Sequence, residues 1–314
     1  MKHFAPILIP TLNRFEHFQG CIESLSRCNY ANKSDLFIAL DYPLNETHVA
    51  GYRKIISYLP KINGFNSLTV IKREENFGAR KNLDNVREEI FKHYDKIIVS
   101  EDDNEFSPNF LEYINDGLDF YEKKLNVFAI CGYNYPIKIS KNYNADIYFW
   151  KGMSGWGYGI WKNRWEEIDW EIENLKKYLS KEENIKKIDN VAGHLLPALR
   201  QIIDTDYITN DTMVTYNLIK KEMYCVFPTI SKVRNIGNDG SGLHCGKDLI
   251  LSEQQIDEGM NMPNFTSNIH ENLEINRSLR KYFSRKLYHR FRRKVKRLKY
   301  QYFNGHDIIK QDVK

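Results

Sequence analysis

Three consecutive carboxylates, Glu101-Asp102-Asp103, follow directly on the apolar run Lys96-Ile97-Ile98-Val99-Ser100 and precede Asn104. Adjacent carboxylates repel one another, so gathering them at one place calls for a compensating cation. Hard divalent ions choose oxygen ligands, and Mg2+ in particular is often shared with substrate phosphates. A solvated acidic turn is the competing reading of the triplet taken alone.

The neighbouring residues argue for more than a turn. A short apolar, β-branched run bounded by polar residues reads as a buried strand of an α/β sheet. Ser107-Pro108 then reads as a helix start. The apolar residues Phe110, Leu111, Ile114, Leu118 and Phe120 continue it as an amphipathic helix. The triplet therefore sits where a buried strand ends, the edge at which open α/β sheets bind ligands. Upstream, strands are expected at Ala5 to Leu12, Leu36 to Leu40 and Leu68 to Ile71. Helices are expected through Phe18, Cys21, Ile22 and Leu25, from Glu46 to Tyr58, and up to about His93. That β-α-β-α-β-α-β order predicts a mainly parallel sheet covered on both faces. Downstream, strands are expected at Val127 to Gly132, Ile147 to Trp150 and Tyr224 to Pro228. Helices lie between Trp165 and Ile203, interrupted near Gly193 and Pro197, and from Thr212 to Lys221.

The chain has 314 residues, of which 42% are hydrophobic and 13% aromatic, ample for a packed core and against disorder. Its five cysteines are scattered without any CxxC pair. That fits reduced thiols better than a disulfide framework or a zinc site. The apolar run at the N-terminus is too short for a signal peptide, and nothing approaches the roughly 20 apolar residues of a membrane span. A cytoplasmic protein is expected. The net charge of +5 is uneven, because residues 280–299 hold eleven Lys or Arg and no acid, leaving 35 basic against 41 acidic residues and −6 elsewhere.

In this order the pieces resemble the GT-A class of nucleotide-sugar-dependent glycosyltransferases. The features are the opening PILIPTLNR, a strand ending at Asp41, REENFGARKNL, and SEDD in the position of that fold's DxD-type motif. The segment SEDDNEFSPNFLEY is similar to the corresponding stretch of the N-acetylglucosaminyltransferase I family. PTISKVRNIGNDGSGLH resembles a loop of bacterial surface-polysaccharide sugar transferases. The match runs over roughly residues 4–250. The resemblance implies a Rossmann-like, mixed and mainly parallel sheet flanked by helices. Its glycosyltransferase domain would span 1–278, with a donor half of about 1–105, an acceptor half of about 106–278 and a basic tail over 279–314. It also implies Mn2+ or Mg2+, with Asp103 as first choice for the direct ligand, Asp102 close behind, and His244 completing the site. A UDP-sugar donor would meet Pro10, Asn13, Arg14, Asp41, Asn76, Arg80, Glu101, Asp102, Trp156, Lys232 and Arg234. A hexosyl or N-acetylhexosaminyl group would pass to a saccharide or lipid-linked saccharide hydroxyl.

Residue by residue, a plainer reading stands beside each role. Asp41 could contact the base or simply form the turn before Pro43. Arg80 or Lys81 could hold phosphate or uracil beside Gly78, or be solvated charges. Asp211, at a helix start away from the triplet, suits a general base, with Asp206 and Asp204 as fallbacks and an N-cap as the competing role. A base there implies inversion. Trp156, with Tyr158 and Trp161 among Gly155, Gly157 and Gly159, suits a sugar-stacking wall or ordinary core. Lys232 and Arg234 could reach the diphosphate, and the glycine-rich loop after Gly237 could close over the donor. Cys245 lacks an orienting Asp or Asn and is discounted as a nucleophile.

In the tail, Phe283, Leu287, Phe291, Val295 and Leu298 recur every three or four residues among Arg and Lys. That pattern reads as an amphipathic helix for an anionic membrane surface, placing the protein peripherally at the inner face of the plasma membrane. Two other functions are possible. A nucleotidyltransferase would want a Gly- and Lys/Arg-rich loop after the first strand, where Pro10-Thr11-Leu12-Asn13-Arg14 stands. A non-catalytic nucleic-acid-binding protein fits poorly with the acidic body.

Overall fold

The apolar run at the N-terminus becomes the pivot of the sheet. The computed structural model describes residues 3–237, 253–259 and 262–284. Strands β1 (Ile7–Thr11), β2 (Asp35–Leu40), β3 (Ser67–Lys72) and β4 (Lys96–Val99) alternate with helices α1 (Phe15–Ser26), α2 (Glu46–Tyr58) and α3 (Ala79–Phe91). β1 pairs in parallel with β2 on one side and β4 on the other, and β3 extends the β2 edge. The chain thus leaves β1 in one direction and returns across it in the other, which makes the β1/β4 gap the switch point of the sheet. Pairing there stops at Leu8 and Val99. Pro10, which has no N–H to donate, lies just past that end, so β1 and β4 can part without a lost ladder bond.

The second half completes the same sheet. β5 (Asn104–Phe106) and α4 (Phe110–Tyr121) lead to β6 (Val127–Cys131), β7 (Ile147–Trp150) and β8 (Tyr158–Trp161). Helices α5 (Lys162–Trp165), α6 (Ile172–Leu179), α7 (Glu182–Val191), α8 (Leu195–Thr205) and α9 (Asn210–Lys221) follow, then β9 (Tyr224–Pro228) and β10 (Val233–Asn235). The order is β3-β2-β1-β4-β8-β6-β9-β7, with β8 and β7 antiparallel to their neighbours. This is the mixed, mainly parallel α/β sheet that the sequence implies. Strand periodicity divides the core in two. Ile97 and Val99 join the cluster under α3 and α6–α9, whereas Ile98 joins the cluster under α1, α2 and α4.

Several local expectations change. The three-residue β5 comes between the triplet and Ser107-Pro108, and α4 begins at Phe110 with Asn109 as its N-cap. β5 pairs with β10 in a separate antiparallel ribbon. Phe120 is exposed, not part of the buried face of α4. Pro197 falls in the first turn of α8, where its missing N–H costs nothing, so the break lies at Gly193 alone. Tyr158 and Trp161 are core residues of β8 and form no sugar wall. Gly159 is there because α4 crosses close by, and a Cβ would come within 2.4 Å of Ile114 Cγ2.

The root of the basic tail packs on the body. A helix over 273–284 runs across the boundary expected at 278/279, with Ile275 and Leu279 buried. Phe283 stacks on Trp150 at 5.7 Å and on His194 at 4.3 Å, so this apolar residue is spent on the protein and not on a membrane. The remainder of the tail, with Leu287, Phe291, Val295 and Leu298, lies outside the described residues.

Candidate active site

The β1/β4 gap is filled by one cation and two buried carboxylates. Arg14, from the loop between β1 and α1, reaches the loop after β4. Its Nη2 lies 2.6 Å from Asp102 Oδ1 and 2.8 Å from Asp103 Oδ2. Thr11, at the tip of β1, donates its hydroxyl to Asp102 Oδ2 at 2.8 Å. Asn235 comes from the β10 end of the ribbon and donates Nδ2 to Asp103 Oδ1 at 2.7 Å and to Asn104 Oδ1 at 3.0 Å. Gly237 must be glycine, since a Cβ would stand 1.9 Å from Asp103 Oδ2. Each of the four carboxylate oxygens of Asp102 and Asp103 therefore has a protein partner. Burial lowers the pKa of Arg14, but the charges of Asp102 and Asp103 outweigh it, and the guanidinium is held above its usual range. Burial pushes the Asp102 carboxyl up, with Arg14 opposing and Asp103 adding.

Glu101 differs from its two neighbours. It is half-buried and has no side-chain hydrogen bond or ion pair among the described residues. Burial first, then the charges of Asp103 and Asp102, push its carboxyl up to about 8; Arg14 opposes this and Asp211 adds to it.

That last contribution identifies the facing wall. Asp211 occupies the second position of α9 and accepts the N–H of Thr212 at 2.9 Å. The N-cap position is Thr209, whose side chain makes no cap bond, so Asp211 satisfies a first-turn N–H from within the helix. The Asp211 carboxyl is open to water, yet the protein packed around it raises its pKa by burial. Its charge bears on the Glu101 carboxyl and on the Tyr135 hydroxyl, raising both. Asp204 and Asp206, at the exposed end of α8, are not among the charges that bear on Glu101.

Arg80 acts on this wall from behind. It donates Nη1 to Ile208 O at 3.2 Å and pairs with Asp84 at 3.4 Å, while Asn210 donates to Asp84 at 3.3 Å. Arg80 thereby ties α3 to the start of α9. Asp41 is likewise occupied. It is buried and accepts the N–H groups of Tyr42 and Phe77, each at 2.9 Å, and Asn76 Nδ2 at 3.4 Å. Asn76 also donates to Tyr42 O at 2.6 Å. Asp41 and Asn76 thereby shape the rim loops after β2 and β3. Pro10 and Asn13 are half-buried at the same edge. Trp156 is half-buried in the loop before β8 and meets Tyr133 edge-on at 4.7 Å.

Two basic residues expected at the diphosphate are elsewhere. Lys232 is buried and ion-paired with Asp257 at 2.5 Å, tying segment 253–259 to the body. Arg234 faces Glu105 across the β5–β10 ribbon, with Nε 3.0 Å from Glu105 Oε2. His244, Cys245 and the glycine-rich loop lie outside the described residues. A cavity of about 590 Å3 between Pro136–Ser140 and the 273–284 helix lies apart from the cleft, lined by none of Arg14, Glu101 or Asp211.

Among the described residues, no three His, Cys, Asp or Glu side chains gather to hold a metal ion. Every oxygen of Asp102 and Asp103 already has a protein partner in Arg14, Thr11 or Asn235, so an ion there would have to share or displace those contacts. Arg14 is the cation paired with both carboxylates. Thr11 and Asn235 were not singled out from the sequence; the only hint of Asn235 was its place in the loop that ends at Gly237.

No family model and no curated protein matches the chain. Among solved structures, it is similar to the mannosyltransferase PcManGT from Pyrobaculum calidifontis in complex with GDP-Man and Mn2+. The identity there is 11% over 51% of this chain and 44% of that one, with a TM-score of 0.36. It is also similar to S. aureus TarS 1-349 in complex with UDP-GlcNAc, at 14% identity over 49% and 44% of the two chains and a TM-score of 0.35. For S. aureus TarS the figures are 12%, 48%, 25% and 0.32. The chain spans less than half the length of each of these glycosyltransferases.

Proposed function

We propose that this protein is a glycosyltransferase that moves a sugar from a nucleotide sugar to a saccharide hydroxyl. The observation that supports it best is the pairing of two walls across one cleft. A cation set on buried carboxylates stands at the switch point of the sheet, and an accessible carboxylate with a raised pKa, Asp211, faces it. Nucleotide-sugar chemistry asks for both. As the acceptor oxygen attacks the anomeric carbon, the bond from that carbon to the diphosphate breaks, and its electron pair stays on the leaving phosphate oxygen. Arg14 lies where that charge can be met electrostatically. Asp211 takes the proton of the attacking hydroxyl. With the base and the leaving group on opposite faces of the sugar, the anomeric configuration inverts.

The finer reading follows from the resemblance. The donor is a UDP-sugar, hexosyl or N-acetylhexosaminyl, and Trp156 offers its ring to a sugar. The acceptor is a saccharide of bacterial surface glycan synthesis, carried on lipid at the inner face of the plasma membrane. The Lys/Arg-rich stretch within 280–299 would meet anionic lipid there, each basic residue near the surface contributing on the order of 1 kcal/mol. No helix among the described residues is long and apolar enough to cross a membrane.

The test is to incubate the chain with UDP-, GDP- and dTDP-sugars and follow the anomeric signal by NMR. One of them should be consumed, slowly with water alone and faster with acceptor. Asp211→Asn should slow that consumption by about 10²- to 10⁴-fold. If no nucleotide sugar is consumed at all, the glycosyltransferase reading fails.

A further inference from the structure

We propose that Arg14 stands in for a divalent cation, so that a nucleoside diphosphate binds this cleft without metal. The inference rests on the reading of the cleft as a nucleotide-sugar site. It comes from how the guanidinium is used. A single nitrogen, Nη2, makes both carboxylate contacts. A guanidinium carries five N–H donors, so three remain on Nε and Nη1. Those three have no partner among the described residues, and neither nitrogen is buried without one. The side chain keeps 22% of its surface exposed, against 9% for Asp102 and 7% for Asp103.

The carboxylates thus hold Arg14 through Nη2 and leave donors on Nε and Nη1, on separate edges of the guanidinium, toward solvent. Each can give a charge-assisted hydrogen bond to a phosphate oxygen. A divalent ion at Asp103 would have to displace Arg14 or Asn235 and then sit beside a guanidinium, where like charges repel. Asp102, Asp103, Thr11 and Asn235 become positioning residues for Arg14 in this arrangement. The triplet keeps its place at the strand end but supports a covalently attached cation.

The experiment is calorimetric titration of the full chain with UDP, GDP and dTDP, in excess EDTA and in excess Mn2+. Whichever diphosphate binds should bind in EDTA, and Mn2+ should not strengthen the binding, since an ion that engages no protein ligand gives no added linkage. Arg14→Met should weaken binding by about 10- to 100-fold, the worth of hydrogen bonds from a charged group. Because Arg14→Met strands two buried carboxylates and can fail to fold, Arg14→Lys is the companion. It keeps the charge without the additional guanidinium donors, and should bind more weakly than the parent with no strengthening by Mn2+. Thermal unfolding gives a second readout, in which Mn2+ should leave the parent unmoved and stabilise Arg14→Met, whose aspartates are then open to an ion. Binding that improves tenfold or more on adding Mn2+, or a parent protein stabilised by Mn2+, would overturn the proposal and leave the glycosyltransferase reading standing. Failure of all three diphosphates under both conditions would remove both.

Discussion

The two walls of the cleft are built on opposite principles. On the β1/β4 side every carboxylate oxygen of Asp102 and Asp103 is spoken for, and the supporting groups come from two distant parts of the chain. Beside them Glu101 has no side-chain partner among the described residues, and on α9 Asp211 accepts the N–H of Thr212. A satisfied, buried network is rigid and suits the placing of a charge. An accessible carboxylate with a raised pKa is suited to taking a proton near neutral pH. In the proposed reading this contrast assigns binding to one group and proton transfer to the other, and each can be probed separately.

The largest stability effect is expected on the satisfied wall. Asp103→Ala removes a partner from both Arg14 and Asn235, and a buried polar group left unsatisfied costs about 1–3 kcal/mol. Urea unfolding should show that loss, whereas Asp211→Asn should unfold like the parent. A smaller effect is expected behind the facing wall. Arg80→Ala frees the start of α9, and the misplaced Asp211 should lower kcat by about tenfold, since small displacements of a reacting group are costly. The affinity for nucleotide should be unchanged; a weakened affinity would instead return Arg80 to direct donor contact.

A further effect concerns pH. The Glu101 carboxyl is raised from an ordinary value of 4.5 to about 8. Between those values the folded protein keeps a proton that the unfolded chain has released, so its contribution to stability falls as pH rises. Glu101→Gln removes that titration. Its urea midpoint should therefore vary less between pH 5 and pH 8, within about the range that shift spans, and exceed the parent's at the upper end. A parent and a variant with parallel profiles would place Glu101 outside this field.

Much of the scaffold was legible in the sequence, and the reason is local. β1 to β4 are short β-branched runs whose boundaries are set by neighbouring polar residues, and α2 carries its own cap in Asn45, which accepts the N–H of Thr47 at 3.0 Å. The triplet, Arg14 and Asp211 could be found because carboxylates and cations at strand and helix ends stand out in an α/β pattern. What could not be read was partnership at a distance. Arg14 meets residues 88 and 89 positions away, and nothing local to either says so. Lys232 reads as a free cation until Asp257 is seen beside it. β5 and β10, at three residues each, are too short to show any period, yet they bring Asn235 to Asp103. The glycine at 159 suggested an open wall, and the packing of α4 is its actual cause.

The most direct test of the two-wall account is to measure nucleotide affinity and turnover in parallel for Arg14→Lys and Asp211→Asn. Arg14→Lys should lose affinity for the nucleoside diphosphate. Asp211→Asn should bind it as the parent does while turnover falls by about 10²-fold or more. If Asp211→Asn loses affinity and keeps turnover, or if both variants lose the two properties together, the walls do not divide the work and the account is wrong.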